Sequence, residues 1–384
     1  MNKFFWGVWV IFLFACNKKE LPIPNKGVYV KFFGTVSNDK GISVIKTHDG
    51  DFVIAGSVKE NEAYAIYVTK ISPEGIKKWD YHYTGAYNDE PGNVLEDKDG
   101  NLVVTGFSEQ KPGLADILVL KISTSGTPLD TLLLGDSTVD EKGLFATFSS
   151  DQQLVVVGQS REEGLSDNDM FLLKTDFQTV EWERHIGLIG KMDSVGTVAR
   201  LNSGDLVWCG TVNRNDNDIR VIKTDDFGNI IWDYGFNEKD GKNQKGKDIQ
   251  VLKGGGFIVA GSTKEGGKED GLLIKLNANG ISEKQIILSD QHNKGINSVK
   301  ELSNGNFIVT GYKDYEGKGR DVWVAEVSTD GSIAWEQNFG GVYPDEGKYI
   351  VETTNGFLII GSATVQSNSM IALYKIDATG KLVK

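Results

Sequence analysis

The chain has 384 residues, of which 46 are Gly and 7 are Pro, and it carries a formal net charge of −12. So acidic a surface disfavours the phosphate backbone, which excludes nucleic acid as a partner, and the charge keeps a large chain dispersed. Abundant Val and Ile, frequent Gly and no long 3.6-residue periodicity exclude a helical architecture and predict many short strands joined by tight turns.

Residues 1–15, MNKFFWGVWVIFLFA, place one lysine before an apolar run from Phe4 to Ala15. The run is too short to cross a membrane comfortably and reads as a signal peptide. Leu13-Phe14-Ala15-Cys16 follows, with an aliphatic residue three before the cysteine and a small one directly before it. This resembles the lipobox of bacterial lipoproteins, which implies cleavage before Cys16, a lipid on Cys16 and attachment to a membrane. Asn17 in the next position resembles an outer-membrane address, on the periplasmic face or the cell surface. Lys18-Lys19-Glu20 is similar to the export tags of surface lipoproteins in the Bacteroidetes. Residues 16–27, with Pro22 and Pro24, read as an extended tether. Cys209 then has no partner thiol, so it is expected to be a small buried filler.

From residue 28 to 384 one pattern repeats. A glycine that reads as the end of a strand recurs at Gly56, Gly106, Gly158, Gly210, Gly261, Gly311 and Gly361, at spacings of 50 to 52 residues. Each follows a turn and an apolar run, such as DGDFVIAG or NGNFIVTG; Asp49-Gly50 and Asp99-Gly100 are hairpin signals, so another strand must precede each turn. A third run closes on Lys70, Lys121, Lys174, Lys223, Lys275 and Lys375, but on Glu326 in the sixth copy. A fourth carries Trp79, Trp182, Trp232 and Trp335 at one shared position, where they are expected to pack between sheets.

Seven copies of a four-stranded meander predict an all-β, seven-bladed β-propeller, because one such sheet cannot bury both faces alone and stacking in a ring does so. Residues 27–41, GVYVKFFGTVSNDKG, align with IAWEQNFGGVYPDEG of the sixth copy. The N-terminal strand is therefore expected to complete the last blade and remove the open edges.

The segments VTKISPEGIKKW and VIKTDDFGNIIW are similar to PQQ-type propeller repeats, and the copies together resemble the propeller repeats of Bacteroidetes lipoproteins over nearly all of residues 28–384. The resemblance implies the fold alone, since no quinone-enzyme ligand cluster accompanies it. Residues 224–232 and 328–335 also resemble the Asp-box of sialidase-like propellers, which is a folding motif. The three clustered arginines a sialidase requires are absent: Arg161, Arg184, Arg200, Arg214, Arg220 and Arg320 occupy unrelated repeat positions.

His48, His82, His185 and His292 show no metal-ligand spacing, and nucleophile-elbow and phosphate-loop motifs are absent. No cofactor is expected; the Asn- and Asp-rich loops at 166–169 and 213–218 offer oxygen ligands for Ca²⁺ without an EF-hand pattern. Asp39, Asp89, Asp140, Asp193 and Asp345 recur between the fourth strand of one copy and the first of the next. They read either as an acidic ring at the channel mouth or as caps of their own turns. A second set, Asp116, Asp169, Asp218, Asp270 and Asp321, opens the third strands.

Loop aromatics are better binding candidates than the repeated tryptophans. Tyr87 and Tyr343 fall in inter-blade loops, Tyr64 and Tyr315 between second and third strands, and Arg320 close by, all on one predicted face. The expectation is a binding or scaffolding propeller of the cell envelope, more readily non-catalytic than an enzyme, that engages a protein or glycan through this face. A polysaccharide hydrolase or lyase using loop carboxylates, and an outer-membrane assembly factor like the PQQ-like propeller lipoprotein of that machinery, are the alternatives.

Overall fold

The computed structural model describes residues 29–383 except 166, 188–192, 214–215 and 237–240. Cys16, the leader and the tether lie outside the described residues, as do parts of both Asn/Asp-rich loops. All regular secondary structure described is β-strand, arranged as seven antiparallel sheets of four strands. The blades comprise residues 40–83, 89–134, 139–186, 194–236, 243–288, 294–339 and 346–377, and each runs in sequence order from its first strand at the channel to its fourth at the rim.

The seventh blade has three strands of its own. Its fourth is Val30–Phe33, which pairs antiparallel with Asn368–Asp377, Val30 opposite Tyr374 and Phe33 opposite Ile371. The ring is thus closed by hydrogen bonds between the two ends of the propeller, as the alignment of residues 27–41 predicts.

Second and third strands are nearly continuous apolar runs because both of their faces are covered by adjacent blades. Val53, Val103, Val155, Val207, Ile258, Ile308 and Leu358 occupy one repeat position and are all fully buried. The fourth strands alternate polar and apolar residues and face solvent. Their tryptophans lie on the next blade. An added Cβ at Gly126, Gly228, Gly280 or Gly380 would come within 3.0 Å of Trp79, Trp182, Trp232 or Trp335 respectively, and these four glycines hold φ between +76° and +88°. Tyr29, aligned with Trp335, sits in the same way against Gly75 of the first blade.

One expectation is corrected. The repeated glycines do not end their strands: Phe307–Tyr315 runs straight through Gly311, and Phe52–Glu60 through Gly56. The glycine is there for space. A Cβ on Gly311 would lie 1.9 Å from the Gly295 carbonyl oxygen of the first strand, and one on Gly261 would lie 1.7 Å from that of Lys245.

That close approach accompanies a bulge, repeated in every first strand, which inserts Ile42, Gly92, Leu144, Gly196 with Thr197, Lys247, Asn297 or Lys348. The residue after the bulge, or in the fourth blade the second of the two residues within it, ties one blade to the next where it is small and polar. Asn93 accepts from the Ala146 amide at 3.0 Å, Thr197 from Ile249 at 2.9 Å and Asp248 from Val299 at 2.9 Å. The third and seventh blades have Phe145 and Tyr349 instead. Although these blades stand on opposite sides of the ring, the two ring centroids are 6.5 Å apart, so the channel is closed at that depth.

Candidate functional site

The loops between blades and the hairpins between second and third strands share one face, and backbone hydrogen bonds join them. Glu109 N–H donates to the Asn88 carbonyl, Asp314 to Asn293 and Asp345 to Arg320, at 2.8, 2.8 and 2.6 Å. The inter-blade aspartates support this joint. Asp39 accepts from the Thr35 hydroxyl at 2.8 Å and the Lys59 amide at 3.0 Å, Asp89 from the Gly85 amide at 2.6 Å, and Asp140 from the Ala115 amide at 3.1 Å and Arg161 at 2.9 Å. Asp345 accepts from the Gly341 and Thr364 amides. All five, Asp193 included, are buried. Among the described residues no three His, Cys, Asp or Glu side chains converge as metal ligands would.

Of the second set, Asp116, Asp169 and Asp321 occupy the space left by Gly135, Gly187 and Gly340, where a Cβ would meet the carboxylates at 2.3, 1.7 and 2.1 Å. Asp345 approaches Gly340 as well, at 2.7 Å. Burial raises the Asp345 carboxyl to about 6, and the charge of Asp321 adds to the shift against the two amide donors.

The sixth blade breaks the pattern. Lys294 occupies the buried position two residues before the bulge-flanking Ile296, where Asp39, Asp89, Asp193 and Asp345 stand in four other blades. Its Nζ lies 2.7 Å from Asp290 and 5.2 Å from the centre of the Trp323 ring. Lys313 bridges Asp290 at 2.8 Å and Glu336 at 3.1 Å, and the indole of Trp323 donates to Glu336 at 2.8 Å. Burial opposes ionisation of Asp290, but hydrogen bonds from both lysines hold its carboxyl well below the usual range.

On this rigid base three concavities follow one another across blades 6 and 7. The first, about 480 Å³, lies against His292 and Tyr315, whose rings meet at 4.5 Å, and reaches Asp314. The second, about 430 Å³, runs from Asp314 past Arg320 to Asp345. The third, about 510 Å³ and mainly apolar, runs from Asp345 past Phe339 and Tyr374 to Val30 on the closing strand. Asp314 and Asp345 are shared walls, so the three form one track.

Arg320 is fixed at its centre: the guanidinium lies 3.6 Å from the Tyr312 ring centre, 3.1 Å from Asp314 and 3.7 Å from Glu346. Burial works against its charge, but Asp314 and Glu346 outweigh that and raise its pKa. A Cβ added at Gly319, which holds φ +90°, would lie 3.6 Å from the backbone of Tyr343 and Pro344, so the hairpin runs close beside the inter-blade loop. Val342 and Tyr343 project at the rim, 71% and 38% exposed.

Of the sequence candidates, Tyr315, Arg320, Tyr343 and Asp345 are brought together here. Tyr64 and Tyr87 lie elsewhere, by the loop between blades 1 and 2; the Tyr64 amide donates to Asn88 at 3.1 Å, Lys40 covers its ring at 4.3 Å, and Tyr87 is exposed. His292, Asp314 and Glu346 were not singled out by sequence reasoning. No shared repeat position marks the first two, and only the pairing of adjacent loops shows that they meet.

No protein-family model matches the chain, and none of the curated proteins matches it in sequence. Solved structures do resemble it. A protein of unknown function from Dyadobacter fermentans aligns over 91% of this chain and 98% of its own, at 12% identity and a TM-score of 0.52. A candidate 6-phosphogluconolactonase from Bacteroides fragilis aligns over 91% and 93%, at 12% identity and a TM-score of 0.53. Sqt1 from Chaetomium thermophilum, bound to the N-terminus of ribosomal protein L10, aligns over 92% and 88%, at 12% identity and a TM-score of 0.53. At such identity the likeness is one of fold.

Proposed function

We propose that this is a non-catalytic binding propeller that holds an extended segment of a partner protein along the track on blades 6 and 7. The observation that carries the reading is the continuity of the three concavities through Asp314 and Asp345. Interfaces draw most of their affinity from a few aromatic and Arg anchors beside apolar pockets, and Tyr315, Arg320 and Tyr343 with the pocket of Phe339 and Tyr374 match that chemistry. Sqt1, solved with the N-terminus of a ribosomal protein, is a precedent for peptide capture on this fold.

The lipobox-like Leu13-Phe14-Ala15-Cys16 motif supports a place in the cell envelope, with the propeller tethered to the outer membrane through a lipid on Cys16. The similarity of the repeats to PQQ-type propellers of Bacteroidetes lipoproteins belongs to the same reading. Metabolic labelling with palmitate should mark the wild-type chain and leave the Cys16→Ala variant unlabelled.

The track is tested by crosslinking in cells followed by identification of partners. Tyr315→Ala, Arg320→Ala and Tyr343→Ala together should reduce capture of the partner at least tenfold with the fold intact. Capture at wild-type level by that variant, or preferential retention of a glycan over all envelope proteins, would remove the reading.

A further inference from the structure

The third concavity of the track differs from the other two in chemistry. Its walls are apolar, with Val30, Phe32, Phe339, Val365 and Leu382 around a space of about 510 Å³. Phe339 stacks on Tyr374, ring centres 5.5 Å apart and planes inclined by 20°, so two flat rings form one continuous side. At one end stands Asp345, the one charged side chain in this lining among the described residues.

The carboxylate there has no counter-ion. Asp345 is 3% exposed, and each of its oxygens accepts one backbone amide, Oδ2 that of Gly341 at 3.1 Å and Oδ1 that of Thr364. No basic side chain lies within ion-pair distance of it among the described residues. Asp321 adds negative charge instead. A Cβ on Gly340 would meet Asp321 Oδ1 at 2.1 Å and Asp345 Oδ2 at 2.7 Å, so two carboxylates crowd one glycine, and Asp321 Oδ1 is buried without a donor. The nearby cations are turned elsewhere: Arg320 to Asp314 and Glu346, at 3.1 and 3.7 Å, and Lys31 and Lys375 to the Tyr29 ring, at 5.5 and 5.2 Å. Lys318 eases Asp321 through space without pairing with it among the described residues. The Tyr374 hydroxyl, on a side chain 4% exposed, makes no hydrogen bond to any described residue, and burial keeps it neutral. An apolar cleft thus ends in negative charge and an unused hydroxyl.

We propose that the third concavity takes a lysine side chain of the partner segment, its alkyl stem along Phe339 and Tyr374 and its ammonium at Asp345. The lysine depends on the track being a peptide groove, and it fixes one residue that the segment must carry. Complementarity selects this occupant: the stem of a lysine suits apolar walls, and its charge suits a buried carboxylate that lacks a cation. An apolar residue would leave Asp345 buried and unpaired, and an acidic one would be repelled. Ammonium also fits better than guanidinium. Each Asp345 oxygen already holds an amide, which leaves no free pair of oxygens for a bidentate fork, whereas a point donor needs one lone pair and the Tyr374 oxygen can take another N–H. Burial, with Asp321 adding to it, raises Asp345 to about 6, and an ammonium beside it acts in the opposite sense, so the pocket releases protons when it fills near that pH.

The experiment is a ligand-observed NMR titration of the chain at pH 8 and matched ionic strength with three probes: n-butylammonium for the lysine side chain, n-propylguanidinium for arginine and n-butanol for an apolar residue. n-Butylammonium should bind at least fivefold more tightly than either of the others. Asp345→Asn should remove that margin and leave n-butanol unchanged, while Asp49→Asn, on the opposite face, should change nothing. Between pH 8 and pH 5 n-butylammonium should weaken about tenfold as Asp345 takes up its proton, and n-butanol should not weaken. Equal affinity for n-butylammonium and n-butanol, a preference for n-propylguanidinium, or unchanged affinity in Asp345→Asn would overturn the lysine. Should Asp345→Asn fail to fold, Val365→Trp at the exposed lip decides the matter: it should block n-butylammonium, and undiminished binding rules the pocket out. The triple variant of the track keeps this pocket, so it should lose the partner and still bind n-butylammonium. Partner capture at wild-type level by that variant removes the track and with it the source of the lysine, whereas a failed fragment titration leaves the triple variant's loss of capture standing.

Discussion

Lys247 shows how a single side chain can act against the fold that carries it. Its folded-state pKa lies below that of an unfolded lysine, so between the two values the unfolded chain binds the proton more readily. Stability therefore rises with pH through that window, and at neutral pH the charged amine is a net cost. Lys247→Met should raise the melting temperature at pH 7, and by less at pH 10.5; an unchanged or lower value at pH 7 would refute the net cost that burial and the nearby Lys348 and Lys245, against Glu346, place on its charge. A second residue-scale contrast concerns glycine. Gly126 and Gly50 have nearly the same backbone, φ +88° and +87°, but a Cβ on Gly126 meets Trp79 at 2.7 Å while one on Gly50 meets nothing within 4 Å. Gly50→Ala should cost about 1 kcal/mol, the strain of a left-handed residue, and Gly126→Ala about 1–3 kcal/mol more from overpacking. Denaturant titration of both variants isolates the contribution of the tryptophan contact.

At the scale of the element, the sixth blade's Glu326 stands where six copies have lysine, and its turn explains it. Lys70 pairs with Asp49 at 2.6 Å, Lys121 with Asp97 at 3.0 Å, Lys174 with Asp151 at 3.0 Å and Lys223 with Asp205 at 2.8 Å, each an aspartate of the preceding turn. The sixth turn offers Asn304 and Asn306, whose amides donate to Glu326 at 3.1 and 2.7 Å, and the Trp335 indole adds a third bond at 2.8 Å. The polarity of the contact is reversed as a unit. Glu326→Lys alone should cost about 1–2 kcal/mol, and Asn304→Asp added to it should recover a large part, a coupling readable in a double-mutant cycle. The exchange was visible in the sequence, but its meaning was not. It depends on which turn residue reaches the third strand, and no repeat spacing gives that. The same limit applies to the strand ends. The periodic glycines announced seven blades, yet an apolar run followed by Gly looks like a strand that stops, and only the approach of a neighbouring carbonyl shows that it continues.

Across the whole molecule the carboxylates divide by face. On the loop face burial raises Asp39, Asp89 and Asp345, the last to about 6. On the opposite face hydrogen bonds outweigh burial and lower Asp49, to about 2, together with Asp97 and Asp151. Raised groups contribute stability that is complete below their unfolded values, near 4, and is lost as pH rises through their folded values. Lowered groups contribute above their unfolded values and lose it as pH falls through their folded ones. Thermal melts should therefore rise from pH 8 toward about 5 and fall below about 3, with a shallower slope between pH 5 and 7 in Asp345→Asn. A flat profile from pH 5 to 8 would show that burial does not dominate the loop face. The architecture of the ring, its count of blades and its clasp were legible because each repeats or aligns. The track was not, since it arises where the sixth and seventh copies depart from the repeat.

The clasp also sets the order in which the molecule can be finished. Ser369 donates its hydroxyl to the Asp39 carbonyl across 330 residues of chain, and Val30–Phe33 waits for a partner strand of similar remoteness. As the chain emerges from the ribosome, blades 1 to 6 can each form from neighbouring residues, but the seventh cannot be completed until its third strand appears. Until then one rim strand is unpaired and the first blade has an uncovered flank, the kind of exposed edge that invites aggregation. Closure of so long a loop adds little equilibrium cost, because loop entropy grows only with the logarithm of length, but it delays the final step. A circular permutant opened between blades 3 and 4 should reach the same ring with a different pair of edges waiting, and a change in aggregation during refolding, with native stability nearly unaltered, would record that wait.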